Sequence, residues 1–194
     1  MSGHDHALSS LRIAITGGQG LIGSAIIPHL HAHGAEVISL VRAPLASDGD
    51  VSWNPEAPFT PDPRLEDLDA VIHLAGAGIA DRRWTPTRRK MLRTSRVDAT
   101  HHLCDALTQL QRPPKHFIQA SAVGIYGDRG EESLDEHSTP GTGFLADLAL
   151  QWEHASSELE ASGTRRVLLR LGMVLSLQGG ALARMLPPFR YGIG

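Results

Sequence analysis

The chain of 194 residues carries 18 lysine and arginine side chains against 21 aspartate and glutamate, a formal charge of -3 at neutral pH. That length sustains one sizeable core and makes a single domain the default, while the scattered cations form neither a basic tract for nucleic acid nor a polybasic membrane anchor. The one cysteine, Cys104, excludes an internal disulfide, and no apolar run is long enough to span a bilayer, so the composition predicts a cytoplasmic protein whose partners are small molecules or other proteins.

Residues 1–10 are polar, lack the apolar core of a secretion signal and are read as a tail ahead of a domain spanning 11–194. An apolar run at 11–16 predicts a buried strand. It leads into Thr16-Gly-Gly-Gln-Gly-Leu-Ile-Gly23, after which Leu21, Ile22, Ala25, Ile26 and Leu30 line one side of a helix over 21–33. A strand, a tight turn and a helix N-terminus in that order aim backbone N–H groups and a positive helix end at a pyrophosphate. Gly17 is therefore assigned the turn, Gly20 the close approach of phosphate to main chain, and Gly23 the close packing of helix on sheet, with Leu21 and Ile22 completing the cofactor-binding loop. A glycine-rich structural turn is the alternative. Of His29, His31 and His33 only the first and last share a helix face, and no carboxylate or cysteine completes a ligand set, so no metal site is predicted.

A second strand at 36–41 ends at Arg42, 25 residues after Gly17, about where a ribose-binding carboxylate would mark NAD. An arginine there offers paired, charge-assisted hydrogen bonds to a 2′-phosphate, which favours NADP(H) over NAD(H); a solvated strand-end arginine is the plainer reading. Prolines 44, 55, 58, 61 and 63 make most of 43–66 a loop around a short third strand near Val51–Trp53. A strand at 70–75 closes on His73-Leu-Ala-Gly-Ala77, where Leu74, Ala75 and Gly76 are the expected close contacts of the cofactor. A helix over 86–110 follows, its arginines 88, 89, 93 and 96 read mostly as a solvated face and Cys104 as a core thiol beside Leu103 and Leu107. Strands at 116–121 and 166–171 flank a helix at 144–162. Beyond them come a loop at 176–180, a short helical segment at Ala181–Leu186, and Pro187-Pro188. The alternation predicts an α/β fold, a doubly wound parallel sheet with helices on both faces.

The ordered pieces Thr-Gly-Gly-Gln-Gly-Leu-Ile-Gly (16–23), His-Leu-Ala-Gly-Ala (73–77), Arg-Arg-Trp (82–84), Ser-Arg-Val (95–97), Ser-Ala-Val-Gly-Ile-Tyr-Gly (121–127), Phe-Leu-Ala (144–146), Trp-Glu (152–153), Leu-Arg-Leu-Gly-Met-Val-Leu-Ser (169–176) and Gly-Gly-Ala-Leu (179–182) resemble the extended short-chain dehydrogenase/reductase superfamily. The resemblance is closer to its atypical branch of epimerase-like NADP-binding proteins. It implies a Rossmann-type sheet of order 3-2-1-4-5-6 and a substrate held against a smaller C-terminal domain. Members are longer, so the chain resembles the N-terminal part of one, with the substrate domain missing or truncated.

The resemblance also implies a tyrosine with a lysine four residues on, and the chain lacks that couple. Its tyrosines are 126 and 191, its lysines 90 and 115, and by resemblance Phe144 and Leu148 stand where the couple would be. Tyrosine, with a reference pKa of about 10, is a poor base at neutral pH without such help. Ser121, ending the fifth strand, occupies the place of the substrate-orienting serine, or caps the next turn. Tyr126 is the best remaining proton donor, or a structural hydroxyl. Glu136 looks like the loop acid of the superfamily, and Asp147 and Glu153 lie too far apart on their helix to act as a dyad. Two functions follow: an NADP-dependent oxidoreductase or epimerase-like enzyme on a small hydroxyl, carbonyl or nucleotide-sugar-like substrate, or a catalytically silent NADP(H)-binding protein acting through a protein partner. The apolar stretch 182–189 predicts self-association through an exposed C-terminal region.

Overall fold

The computed structural model describes residues 10–42 and 49–192. Six parallel strands form one sheet: β1 (Arg12–Thr16), β2 (Glu36–Val41), β3 (Val51–Ser52), β4 (Ala70–His73), β5 (His116–Ala122) and β6 (Arg165–Leu171), in the order β3-β2-β1-β4-β5-β6. Strands are added outward on one side from β1 to β3 and on the other from β4 to β6, so the order reverses between β1 and β4, where Thr16 lies opposite both Leu40 and His73. The crevice beyond the carboxyl ends of those two strands is where sheets of this kind take their ligands.

Strand alternation divides the core. Ala14 and Val71 point to one face and pack with Leu103, Cys104 and Leu107 of α3 (Ala99–Thr108), whereas Ile13, Ile15 and Ile72 point to the other, beneath Leu30 of α1 (Gly23–Ala32). A third cluster joins Leu92 of α2 (Pro86–Arg93) and Val97 to Ala120 and to Leu148 and Trp152 of α4 (Phe144–His154). Cys104 is buried, and desolvation pushes its thiol well above the ordinary cysteine range, as befits a core side chain. Among the described residues no helix is long and apolar enough to cross a membrane, and no group of three His, Cys, Asp or Glu side chains is placed to hold a metal ion.

The larger differences from the element boundaries read in the sequence each have a local reason. The strand predicted over 70–75 stops at His73, because the Ala75 N–H leaves the ladder to donate to Thr16 Oγ1 at 3.2 Å. The helix predicted over 86–110 begins where Thr85 caps it and Pro86 starts it, then widens into a π turn at Thr94–Asp98 before α3. That turn lets Ser95 and Arg96 both reach Ala77, accepting from its N–H at 3.2 Å and donating to its carbonyl at 2.9 Å. The helix predicted over 144–162 ends as α4 at His154 and resumes as a 3-10 segment at Ser157–Ser162; between them buried Ser156 turns its hydroxyl onto Gln119 of β5. After a two-residue strand β7 (Leu175–Ser176), α5 runs from Gly180 through both prolines to Arg190. Pro187 and Pro188 lie in its last turn and cannot donate to the carbonyls of Ala183 and Arg184.

Candidate functional site

The glycine loop leaves β1 in a conformation that side chains resist. Gly17 has φ +73°, and a Cβ there would fall 2.8 Å from the Leu74 carbonyl carbon and 2.9 Å from the Ala75 nitrogen, so the loop lies directly on the end of β4. A Cβ on Gly23 would strike the Gly17 carbonyl oxygen and lie 2.7 Å from Gly18 Cα. Gly20 closes the turn with an N–H donated to Gly17 O at 2.9 Å, and the half-buried Leu21 and Ile22 lead into α1. Positive helix end and bare backbone therefore share one side of the crevice, with Ala75 and exposed Gly76 opposite. Arg42 is exposed at the carboxyl end of β2, on the same edge of the sheet. The Gly179-Gly180 turn approaches Leu21, a Cβ on Gly180 falling 3.1 Å from its Cδ2, which puts a glycine pair from the far end of the chain against the loop.

His73 fastens this edge from below. It is fully buried, with Nδ1 2.7 Å from Thr16 Oγ1 and Nε2 2.9 Å from Thr100 Oγ1, which also accepts from Trp152 Nε1 at 3.1 Å. A neutral imidazole, one donor and one acceptor, satisfies both hydroxyls. Burial pushes its pKa down to about 3, so it stays neutral where most proteins work. Arg96 props the facing loop, its guanidinium under Gly76 and over the Trp152 ring at 5.1 Å.

At the end of β5, Ser121 is buried and donates its hydroxyl to Glu153 Oε1 at 2.5 Å. Glu153 receives two further bonds from one guanidinium, Arg170 Nε to Oε1 and Nη2 to Oε2, both at 2.9 Å. Burial alone would raise the Glu153 carboxyl, but the bonds from Arg170 and Ser121 outweigh it and hold the group below its ordinary value. The same Arg170 donates through Nη1 to Tyr126 Oη at 2.8 Å and lies 5.3 Å above the phenol ring, while the Tyr126 hydroxyl donates to the Asp135 carbonyl at 2.8 Å. Glu136 contributes only its carbonyl, accepting from Arg170 Nη1 at 3.1 Å. Ser121 and Tyr126 thus belong to one chain of contacts, Ser121–Glu153–Arg170–Tyr126, drawn from β5, α4, β6 and the 3-10 turn at Val123–Tyr126.

Phe144 stacks edge-on against Trp84 at 5.7 Å with Arg89 over its ring, and Leu148 is buried in the third cluster, so both are apolar packing residues. Asp147 is exposed and apart from Glu153. Arg170 is a functional residue that no sequence motif singles out. The available signal was a cation inside the apolar strand Leu169-Arg-Leu171, which needs a buried partner, and Glu153 on the preceding helix was the acid of the right burial.

Residues 13–189 match the profile of the NAD dependent epimerase/dehydratase family. Among curated relatives, the epimerase family protein Mb2239 of Mycobacterium bovis is 42% identical over 182 residues, covering 94% of this chain and 60% of the relative. The mouse epimerase family protein SDR39U1 is 37% identical over 187 residues, 95% of this chain and 61% of the relative. The human SDR39U1 (isoform 2) structure, solved with NADPH, superposes with a TM-score of 0.83 at 34% identity, covering 95% of this chain and 61% of that one. A nucleoside-diphosphate sugar epimerase from Corynebacterium glutamicum superposes with a TM-score of 0.81 at 37% identity, covering 94% and 38%. The chain therefore spans about three fifths of the length of the curated relatives it matches.

Proposed function

The chain belongs to the NAD dependent epimerase/dehydratase family, and from that premise we propose that it binds NADP(H) and serves an oxidoreductase or epimerase-type reaction on a small hydroxyl, carbonyl or nucleotide-sugar-like substrate. The observation that carries the reading is the cradle: Gly17 and Gly23 leave no room for a side chain where loop, strand end and helix meet, a restriction that a plain surface turn has no use for. Gly17, Gly20, Leu21, Ile22 and Gly23 would hold the pyrophosphate from one side, with Leu74, Ala75 and Gly76 on the other. Arg42 would take the 2′-phosphate, and the NADPH-bound human relative supports that choice of cofactor over NAD(H).

When bound, NADP(H) supplies or accepts a hydride, and the chain's own residues must hold it in register and move one proton. Tyr126 is the proposed proton carrier. The usual couple places a lysine cation beside a phenol, and here Arg170 places a guanidinium 2.8 Å from the Tyr126 oxygen from another element. Glu153 balances that charge and fixes the arginine. Ser121, whose O–H donates a hydrogen bond to Glu153, keeps its lone pairs to accept from a substrate hydroxyl.

One observation favours a second reading, a silent NADP(H)-binding protein: the Tyr126 hydroxyl is already spent on the Asp135 carbonyl and Ser121 is buried. Tyr126→Phe separates the two. The enzymatic reading expects turnover to fall at least about 100-fold, the scale of lost acid–base catalysis, with NADPH binding unchanged; unaltered turnover would remove Tyr126 from the role. Arg42→Asp tests the cofactor, with an expected loss of about 1–3 kcal/mol in NADPH binding and little change for NADH. We further propose that the exposed Met185, Phe189 and Tyr191 mark a surface for self-association, or for a substrate-closing segment of a longer chain.

A further inference from the structure

The Arg-Arg-Trp segment and the start of α2 carry more charge than their role as a solvated face accounts for. Residues 81–97 hold seven of the 18 cations, Arg82, Arg83, Arg88, Arg89, Lys90, Arg93 and Arg96, against the single carboxylate of Asp81. Two of the seven are buried. Arg88 is 8% exposed; its Nη2 donates to the Gly78 carbonyl and its Nη1 lies 3.5 Å from Met91 Sδ, but its buried Nε has no hydrogen-bond partner. Arg96, equally buried, is held by the carbonyls of Leu92 and Ala77. Desolvation first, and the nearby Arg88 charge second, lower its pKa to about 10. Asp81 offsets little of this, since it is half-exposed, 3.7 Å from Arg88 Nη2, and shared with Arg184 Nη2 at 2.9 Å. Two buried guanidiniums with so little counter-charge leave a local deficit of negative charge.

Beside them opens a cleft of about 420 Å³ lined by Arg82, Arg83, Thr85, Thr87, Arg88 and Met91. Thr85 caps α2 by accepting from the Arg88 N–H at 3.2 Å, so the positive end of that helix adds to the field in the cleft. Arg82, Arg83 and Thr85 belong to the same β4–α2 connection that carries Ala75 and Gly76, and Thr87, Arg88 and Met91 to α2.

We propose that this cleft is a subsite for a phosphoryl group of the small-molecule substrate, whose oxygens accept from the orphaned Nε of Arg88 and from the exposed guanidiniums of Arg82 and Arg83. The inference deepens the functional reading above and rests on it, naming the substrate as a phosphorylated compound. A phosphoryl dianion suits the site better than a carboxylate, because it offers more acceptors and twice the charge to a cluster of this size.

The test follows the arginine Nε–Hε resonances of the whole chain by NMR while inorganic phosphate is added, with acetate and sodium chloride at matched ionic strength as references. The Arg88 signal should move saturably with phosphate and at least tenfold more weakly with acetate. Arg82→Ala and Arg83→Ala alter exposed rim residues and should each weaken the phosphate response several-fold without unfolding the chain. An Arg88 signal that stays still, or that moves equally with chloride or acetate, overturns the proposal. So does a phosphate response indifferent to both rim variants. NADPH titrated into the same samples reads the glycine loop separately: loss of its binding with the Arg88 response intact would sink the cofactor reading and leave the anion site standing.

Discussion

Replacing His73 with glutamine removes a titrating group from beneath the glycine loop while leaving a side chain that both donates and accepts. The imidazole titrates at about 6.5 when exposed and at about 3 in the fold, with burial as the cause. Between those values the unfolded chain binds the extra proton and the folded chain does not, so stability falls as the pH falls. The contribution is constant above about pH 7.5, declines by about 1.4 kcal/mol per unit well below 6.5, and levels off only below about 3. Between pH 8 and pH 5 this one residue removes about 2 kcal/mol. Urea unfolding read by the fluorescence of buried Trp53 and Trp152 would compare the native chain with His73→Gln at both pH values. At pH 8 the variant should be less stable by about 1–3 kcal/mol, the cost of imperfectly paired buried hydroxyls. At pH 5 that gap should shrink by about 2 kcal/mol, because only the native chain has a buried imidazole to protonate. A gap unchanged within about 0.5 kcal/mol would refute the buried neutral histidine.

Gly23→Ala should cost about 1–3 kcal/mol of stability and at least tenfold in NADPH affinity, since its methyl would meet the Gly17 carbonyl; thermal melts and calorimetry would read both. Arg170→Met strands the buried Glu153 carboxylate and should destabilise by about 3 kcal/mol in denaturant titrations, with partial recovery when Glu153→Gln is added. Met173, Leu175, Leu177, Met185, Phe189 and Tyr191 are exposed, so the chain should self-associate or bind an apolar dye; Met185→Glu with Phe189→Glu should reduce both in light scattering and dye fluorescence.

The parallel sheet and the glycine loop were legible because each rests on short-range signals, apolar runs alternating with helical patterns and glycines whose spacing is fixed by a turn and a helix start, whereas the strand order followed only from the resemblance to a known superfamily. Ser121 and Tyr126 were legible as candidates, but not what they touch. Arg170, which touches Tyr126 directly and Ser121 only through Glu153, lies 44 residues beyond the one and 49 beyond the other, and such pairing depends on β5 and β6 lying side by side. Helix breaks were hidden for a related reason. Neither glycine nor proline marks a break in 94–98 or 155–156, and the interruptions serve distant groups, Ala77 and Gln119, that no local window contains. Arg88 and Arg96 read as a solvated face because helical arginines usually are; their burial follows from the β4–α2 connection folding over them.

Direct titration of NADPH and NADH into separate samples of the chain, followed by nicotinamide fluorescence, decides the choice of cofactor. Saturable binding of both, with NADPH at least tenfold tighter (about 1.4 kcal/mol or more), is the result expected from a glycine cradle with Arg42 at the end of β2. Binding of neither, or an NADH complex as tight as that of NADPH, would contradict it.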